Sequence, residues 1–229
     1  MDREAKLPSP LFSICASADF WDILFPNVCR PALVNMSAMS AVPWRKKKGI
    51  AFWRGTDRGA VNWALELRDM YSGSPRKRWA GDKMLAAIQV EPVVNTDPSF
   101  VALDQQPRWR YLLDLPGNGY SGSLKQKLTA SSAVLLLTDV GVPGASPVYE
   151  HYHSGLQDKV HVLRVTMEDA GKKVRWARDH DKEMQSMVRN ANDYMSCPAK
   201  LGCHFILTCM CPSANHQLVC VYVCRATPP

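Results

Sequence analysis

The sequence predicts an α/β domain built on a parallel sheet, and three observations carry that expectation. Short apolar runs at 49–53, 110–115 and 133–137 stop at, or lie close to, glycine or serine turns. Segments with helix-like spacing of apolar residues lie between and after them. At 110–131 the order is strand, glycine-rich turn, helix, and strands that alternate with helices imply crossover connections within a parallel sheet.

Length and composition agree with such a domain. The chain of 229 residues is 46% hydrophobic and 21% charged, enough for a sizeable core in one large domain or two small ones. Its 13 glycines and 16 prolines stand close to the ~12% combined share of globular proteins, which excludes a disordered or collagen-like polymer. With 28 Lys and Arg against 21 Asp and Glu the net charge is +7, which favours an anionic partner: a nucleotide, nucleic acid or an anionic membrane surface. Asp2, Arg3, Glu4, Asp19 and Asp22 interrupt the first thirty residues, so no signal peptide is expected there. No apolar run reaches the ~18 to 20 residues of a membrane span, so the chain as given is expected to be soluble or peripheral.

The elements follow in order. Residues 7–43 are apolar and proline-punctuated without a clean period, and read as turns and short elements. Trp44-Arg-Lys-Lys-Lys48 is a basic run leading into Gly49-Ile-Ala-Phe-Trp53, a buried strand that ends at Arg54-Gly55. Val61, Ala64, Leu65, Arg68 and Met70 give 60–71 a helical spacing, broken by Ser72-Gly-Ser-Pro75 before the second basic cluster Pro75-Arg-Lys-Arg78. Arg110-Tyr-Leu-Leu-Asp-Leu115 is the next strand, Pro116-Gly-Asn-Gly119 its turn, and 121–131 a helix with Leu124 and Leu128 inward. Residues 133–137 read as a buried strand, 147–156 as a short helix, and Lys159-Val-His-Val-Leu-Arg-Val165 as an alternating strand. Thr166-Met-Glu-Asp169 has the form of a capping box with Asp in place of Glu, opening a helix to about His180. Asp181 can cap a last helix that places Met184, Met187, Val188, Ala191 and Tyr194 on one face.

Candidate chemistry gathers at two strand ends. In Gly117-Asn-Gly-Tyr-Ser121 the glycines either make a tight turn and nothing more, or leave backbone amides at a helix start open to phosphate oxygens, with Lys125 and Lys127 adding charge. The turn matches neither Walker A nor the Rossmann glycine fingerprint. Arg54 directly follows an apolar run and is expected at the end of the strand, where a fixed guanidinium can hold a diphosphate bidentately. Arg45 to Lys48 are expected to form a solvated lead-in. Tyr149-Glu-His-Tyr-His153 suggests metal or acid–base chemistry, but residues two apart on a helix do not share a face, so structural or surface roles are expected. Only Cys15 and Cys29 of the eight cysteines precede residue 190. The others, 197–224, lack the paired spacing of a zinc knuckle, and this tail is expected to pack poorly and hold no metal.

Taken in order, these residues resemble the glycosyltransferase family of the Rumi-type protein O-glucosyltransferases and the fungal capsule-associated xylosyltransferases, from about Leu11 to Met195. Pro10-Leu-Phe-Ser-Ile14 with Asp19-Phe-Trp-Asp-Ile23 is similar to the family's "PVFSxxKxxDFxDI". Trp44-Arg-Lys-Lys-Lys48 with Ala51-Phe-Trp-Arg-Gly-Thr56 is similar to its "WxKKxxxAxFRGS". Tyr111-Leu-Leu-Asp-Leu-Pro-Gly-Asn-Gly-Tyr-Ser121 with Leu124-Lys125 resembles "YLLNxxGxxxSxRxK", and Val148-Tyr-Glu-His-Tyr152 with Val160-His161 resembles a later "YEWY…HY" block.

The resemblance implies two Rossmann-like halves of the glycosyltransferase-B type, here incomplete at the amino end. The segments would be 1–44, a partial acceptor-side piece; 45–195, the domain with the donor site; and 196–229, a divergent cysteine-rich tail. It implies inverting transfer of glucose or xylose from UDP-glucose or UDP-xylose to a glycan or protein hydroxyl, in the secretory lumen, with no metal, no other cofactor and no nucleic-acid partner. Arg54 would hold the diphosphate, and Gly55, Thr56, Asn118, Gly119, Tyr120, Ser121, Ser123 and Lys125 would line the donor. Ser123 stands where many members place an arginine. The family's catalytic aspartate precedes the first block, where this chain offers Asp2, so weak or absent transfer is expected of the chain as given. The other function class is a non-enzymatic basic binder of nucleic acid or glycan, using both basic clusters with Trp44, Trp53 and Trp79.

Overall fold

A computed structural model describes residues 12–17, 23–24, 39, 41–55, 66–72, 88–92, 98–117, 120–139, 147–196, 203–204 and 223–224. Two short strands, β1 (Phe12–Ser13) and β2 (Ile23–Leu24), pair in parallel near the amino end. The main sheet is made of β3 (Lys48–Gly55), β4 (Ile88–Pro92), β5 (Trp109–Asp114), β6 (Ala133–Leu137) and β7 (Leu163–Val165). All its pairings are parallel and the order is β4-β3-β5-β6-β7. In the tail, β8 (Cys203–His204) and β9 (Val223–Cys224) pair antiparallel.

The strands form where apolar runs let both faces be buried, as a parallel sheet requires. Ala51 of β3, Tyr111 and Leu113 of β5, and Ala133, Leu135 and Leu137 of β6 point into one core cluster. It is covered by Leu67 and Tyr71 of the helical turn 66–72, by α2 (Ala170–Asp179) through Val174 and Ala177, and by Met184 and Met187 of α3 (Asp181–Ser196). The alternate residues face the other way. Phe52 and Leu112 meet Met39 and Trp109, with Phe52 stacked on Trp109 at 3.6 Å between ring centroids. Val134 meets Leu124 and Leu128 of α1 (Leu124–Leu128), Tyr152, and Ala191 and Tyr194 of α3. The main sheet and the helices that cover it thus form one α/β layer system; the two-halved arrangement implied by the resemblance is not seen among the described residues.

Several expectations are refined. β3 continues through Arg54 and Gly55, which pair with Glu91 and Pro92 of β4. β4 was not anticipated; its buried apolar side chains Ile88 and Val90 flank the polar Gln89. Residues 147–156 are not an α-helix: Tyr149 bridges antiparallel to Ala16, and His153–Gly155 is one 3-10 turn. The strand expected over 159–165 shrinks to β7, since Lys159 takes a left-handed φ of 60° and the amides of His161 and Val162 turn back to Gln157 O. The capping box at 166–169 forms as read. Thr166 N–H donates to Asp169 Oδ1 at 2.7 Å, and Asp169 N–H donates to Thr166 Oγ1 at 3.1 Å. Asp181 starts α3, but its carboxylate goes elsewhere, accepting from Trp44 Nε1 at 2.8 Å and Arg110 Nη1 at 3.2 Å.

The largest correction concerns the basic run. Lys47 is not solvated: it is 4% exposed and its Nζ donates to Pro107 O, Ser131 Oγ and Ser132 Oγ at 2.5–2.9 Å. It ties the amino ends of β3, β5 and β6 together. Burial pulls its pKa down to about 8.

Candidate active site

From β3 the chain goes out to β4, then returns past β3 to β5 and steps on to β6 and β7. The winding direction therefore reverses between β3 and β5. In open parallel sheets the crevice beyond the carboxyl ends of such a strand pair is where ligands bind, because the two following loops part there. Here those loops begin at Arg54 and at Asp114.

Arg54 lies one residue before the end of β3, on the same face as Phe52, and its guanidinium carbon stands 5.6 Å from the Phe52 ring centroid. Its Nη1 donates to Ser99 O, and Gln106 Nε2 donates to the Arg54 carbonyl at 3.3 Å. Arg54 is held by a stacked ring and a returning loop and so does not sweep solvent. Gly55 follows, where a Cβ would come within 3.2 Å of the Trp53 ring.

From β5, the segment Asp114 to Ser123 makes the second wall. Gly117 N–H donates to Tyr120 O at 3.3 Å, and a Cβ on Gly117 would crowd that same oxygen at 3.2 Å. Ser121 Oγ donates to Asp114 Oδ1 at 2.7 Å and lies 3.3 Å from Ser123 Oγ. Lys127 corrects the sequence reading. Rather than adding charge at the turn surface, its Nζ is buried against Asp114 Oδ1 at 2.9 Å and Leu113 O at 2.8 Å. The helix α1 that follows has five residues, too short for its dipole to contribute much at the turn. Lys125, half-buried, is close enough to His151 to act on its charge.

The third wall is 149–153, which sequence reasoning left to structural or surface roles. Ala16 holds it through paired backbone hydrogen bonds with Tyr149 at 2.8 and 2.9 Å. Glu150 is 3% exposed and its Oε2 accepts the Tyr152 hydroxyl at 2.7 Å. Burial first, then the Glu150 carboxylate, and further Asp114 and Tyr120, push the Tyr152 phenol far up, so it stays protonated. His153 Nδ1 stands 2.9 Å from Glu150 N and 3.3 Å from Glu150 O. His151 Nδ1 is buried without a hydrogen-bond partner among the described residues. Burial, with Lys125 and His153 behind it, lowers that imidazole to about 4. Lys125 and Asp114 thus act on this segment, and the second and third walls are electrical neighbours.

A pH dependence follows. Burial also lowers His153, against the pull of Asp114 and the Glu150 backbone. Both imidazoles are neutral in the fold where the unfolded chain takes protons near pH ~6.5. The imidazoles' contribution to stability is therefore full above about pH 6.5 and is lost as pH drops toward about 4. Thermal melts at pH 7 and pH 4.5 should show a larger loss for the wild type than for His151→Gln; equal losses would remove His151 as a source.

The fold thus brings Arg54 and Gly55 to the same end of the sheet as Tyr120, Ser121, Ser123 and Lys125. Asp2, Thr56, Asn118 and Gly119 lie outside the described residues. The Asp114–Lys127 pair was not foreseen, whereas Glu150 and His151 were weighed for acid–base chemistry and left to structural or surface roles. A signal for the first pair existed in the carboxylate that ends the apolar run Tyr111-Leu-Leu-Asp114, since a buried charge implies a buried partner.

The family model described as glycosyl transferase family 90 matches residues 1–202. Protein O-glucosyltransferase 2 of Danio rerio is 26% identical over 208 residues, a match that covers 81% of this chain and 38% of that protein. The chain therefore spans less than half the length of this curated relative.

Proposed function

The chain belongs to glycosyl transferase family 90, and from that premise we propose that it holds a UDP-sugar at the carboxyl ends of β3 and β5 and serves transfer of glucose or xylose to a glycan or protein hydroxyl. The observation that carries this reading is the convergence of Arg54 and the Gly117 to Ser123 turn at the point where the sheet reverses its winding. A guanidinium and a glycine turn suit a diphosphate, the one by charge-assisted paired hydrogen bonds, the other by close backbone approach.

In this reading the diphosphate is the leaving group. As the bond from the anomeric carbon to the diphosphate oxygen breaks, negative charge grows on that oxygen, and in this reading Arg54, held by its bond to Ser99 O, receives it. The acceptor hydroxyl attacks the anomeric carbon from the opposite face and gives its proton to a carboxylate, a role for which the resemblance offers Asp2. Nothing in this scheme calls for a divalent metal.

Calorimetry of the folded chain in EDTA should register saturable binding of UDP, UDP-glucose or UDP-xylose at up to millimolar ligand; no heat with any of them would end the reading. Arg54→Ala should weaken UDP binding by about 1.5–3 kcal/mol, the range of a hydrogen bond to a charged group. Lys46→Ala, exposed before the other end of β3, should cost far less. Equal losses would instead mark a diffuse polyanion patch, as a basic binder of nucleic acid or glycan requires, with steep salt dependence.

A further inference from the structure

Asp114 ends β5 and immediately precedes the turn that is read above as the diphosphate wall. It is 1% exposed, and one of its oxygens, Oδ1, accepts both the Ser121 hydroxyl and the Lys127 ammonium. Lys127 is 2% exposed and anchored a second time on Leu113 O. A neutral acceptor at position 114 would hold Ser121 equally well and would need no buried lysine. The carboxylate and the ammonium together have an effect that hydrogen bonding alone does not: they fix the net charge directly beneath the turn.

We propose that Asp114 and Lys127 are positioning residues that set the electrostatic potential of the donor turn, Asp114 orienting Ser121 and Lys127 cancelling a carboxylate that would otherwise repel a diphosphate. The inference rests on the reading of this site as a diphosphate site. Neither side chain touches the ligand; each acts through the charge that it places behind Ser121. A unit charge a few ångströms behind a partly buried anion site changes affinity for a polyanion by about tenfold or more, and leaves a neutral ligand nearly untouched. The two single substitutions must then act in opposite directions, which a packing role does not predict.

The test measures UDP and uridine affinities on the full chain, with uridine read by competition, for the wild type, Asp114→Asn, Lys127→Gln and the double variant. Asn and Gln keep hydrogen-bonding capacity while removing charge. Asp114→Asn should raise the UDP-to-uridine affinity ratio about tenfold and Lys127→Gln should lower it about tenfold, as one uncompensated charge of each sign requires. The double variant should return the ratio to within about threefold of the wild type. If Lys127→Gln does not fold, Asp114→Asn and the double variant still decide, by a ratio that rises in the first and returns in the second. A ratio unchanged across the folded variants, or UDP and uridine moving together, overturns this inference alone. Folded wild type that binds no UDP overturns the donor-site reading beneath it.

Discussion

Lys127→Met should lower the free energy of unfolding by about 3–5 kcal/mol, the cost of leaving a buried charge without its partner. The lysine and Asp114 are 2.9 Å apart with side chains 2% and 1% exposed, so water cannot replace the ammonium without opening the structure between α1 and β5. Methionine fills the volume, and the loss therefore reads the charge rather than a cavity. For a chain of this length, such a loss corresponds to a melting temperature lower by about 10 °C. Denaturant titration checks it, and Asp114→Asn on the same background should recover much of the loss because it removes the orphaned carboxylate. A loss below about 1 kcal/mol, typical of exposed pairs, would mean that this pair is solvated in solution.

Gly155→Ala should cost about 2–4 kcal/mol, combining overpacking with a lost buried hydrogen bond. A Cβ at 155 would stand 2.2 Å from Tyr194 Oη and 2.9 Å from Cζ, while that hydroxyl donates to Tyr152 O at 2.9 Å. Tyr194 must move, and it is the residue that docks the end of α3 onto Tyr152 and hence onto the third wall of the site. In a double-mutant cycle Tyr194→Phe should relieve part of the cost, since the nearest atom is gone. Additive effects of the two changes would show that residue 155 does not press on Tyr194.

Because Tyr152 carries both this contact and the Glu150 hydrogen bond, Gly155→Ala should also disturb donor binding. The 149–153 wall was hard to read in the sequence for a related reason. Its residues were weighed as a helix, where His151 and His153 diverge, whereas the chain is extended at Tyr149 and then turns. What fixes it is Ala16, more than 130 residues away, and no local pattern reports that partner.

Elements governed by neighbours in the chain were legible. The Thr166 and Asp169 box, the apolar face of α3 and the runs of β5 and β6 came from residues a few positions apart, where backbone geometry and side-chain period act directly. The strand-end position of Arg54 and the glycine turn at 117 were legible for the same reason. What the sequence could not decide was which charges lose their water. Lys47 and Lys127 read as solvated cations, because an ammonium pays heavily for burial unless partners wait for it. Those partners came from other elements: Pro107, Ser131 and Ser132, just ahead of β5 and β6, for Lys47, and Asp114 of β5 for Lys127. That Arg54 and the Gly117 turn lie at the carboxyl ends of neighbouring strands likewise depended on β5 pairing with β3 rather than with β4. Local sequence determined the strands and the turns that end them. Strand order, a sum of many weak long-range contacts, decided which of those ends share a crevice and which buried charges find each other.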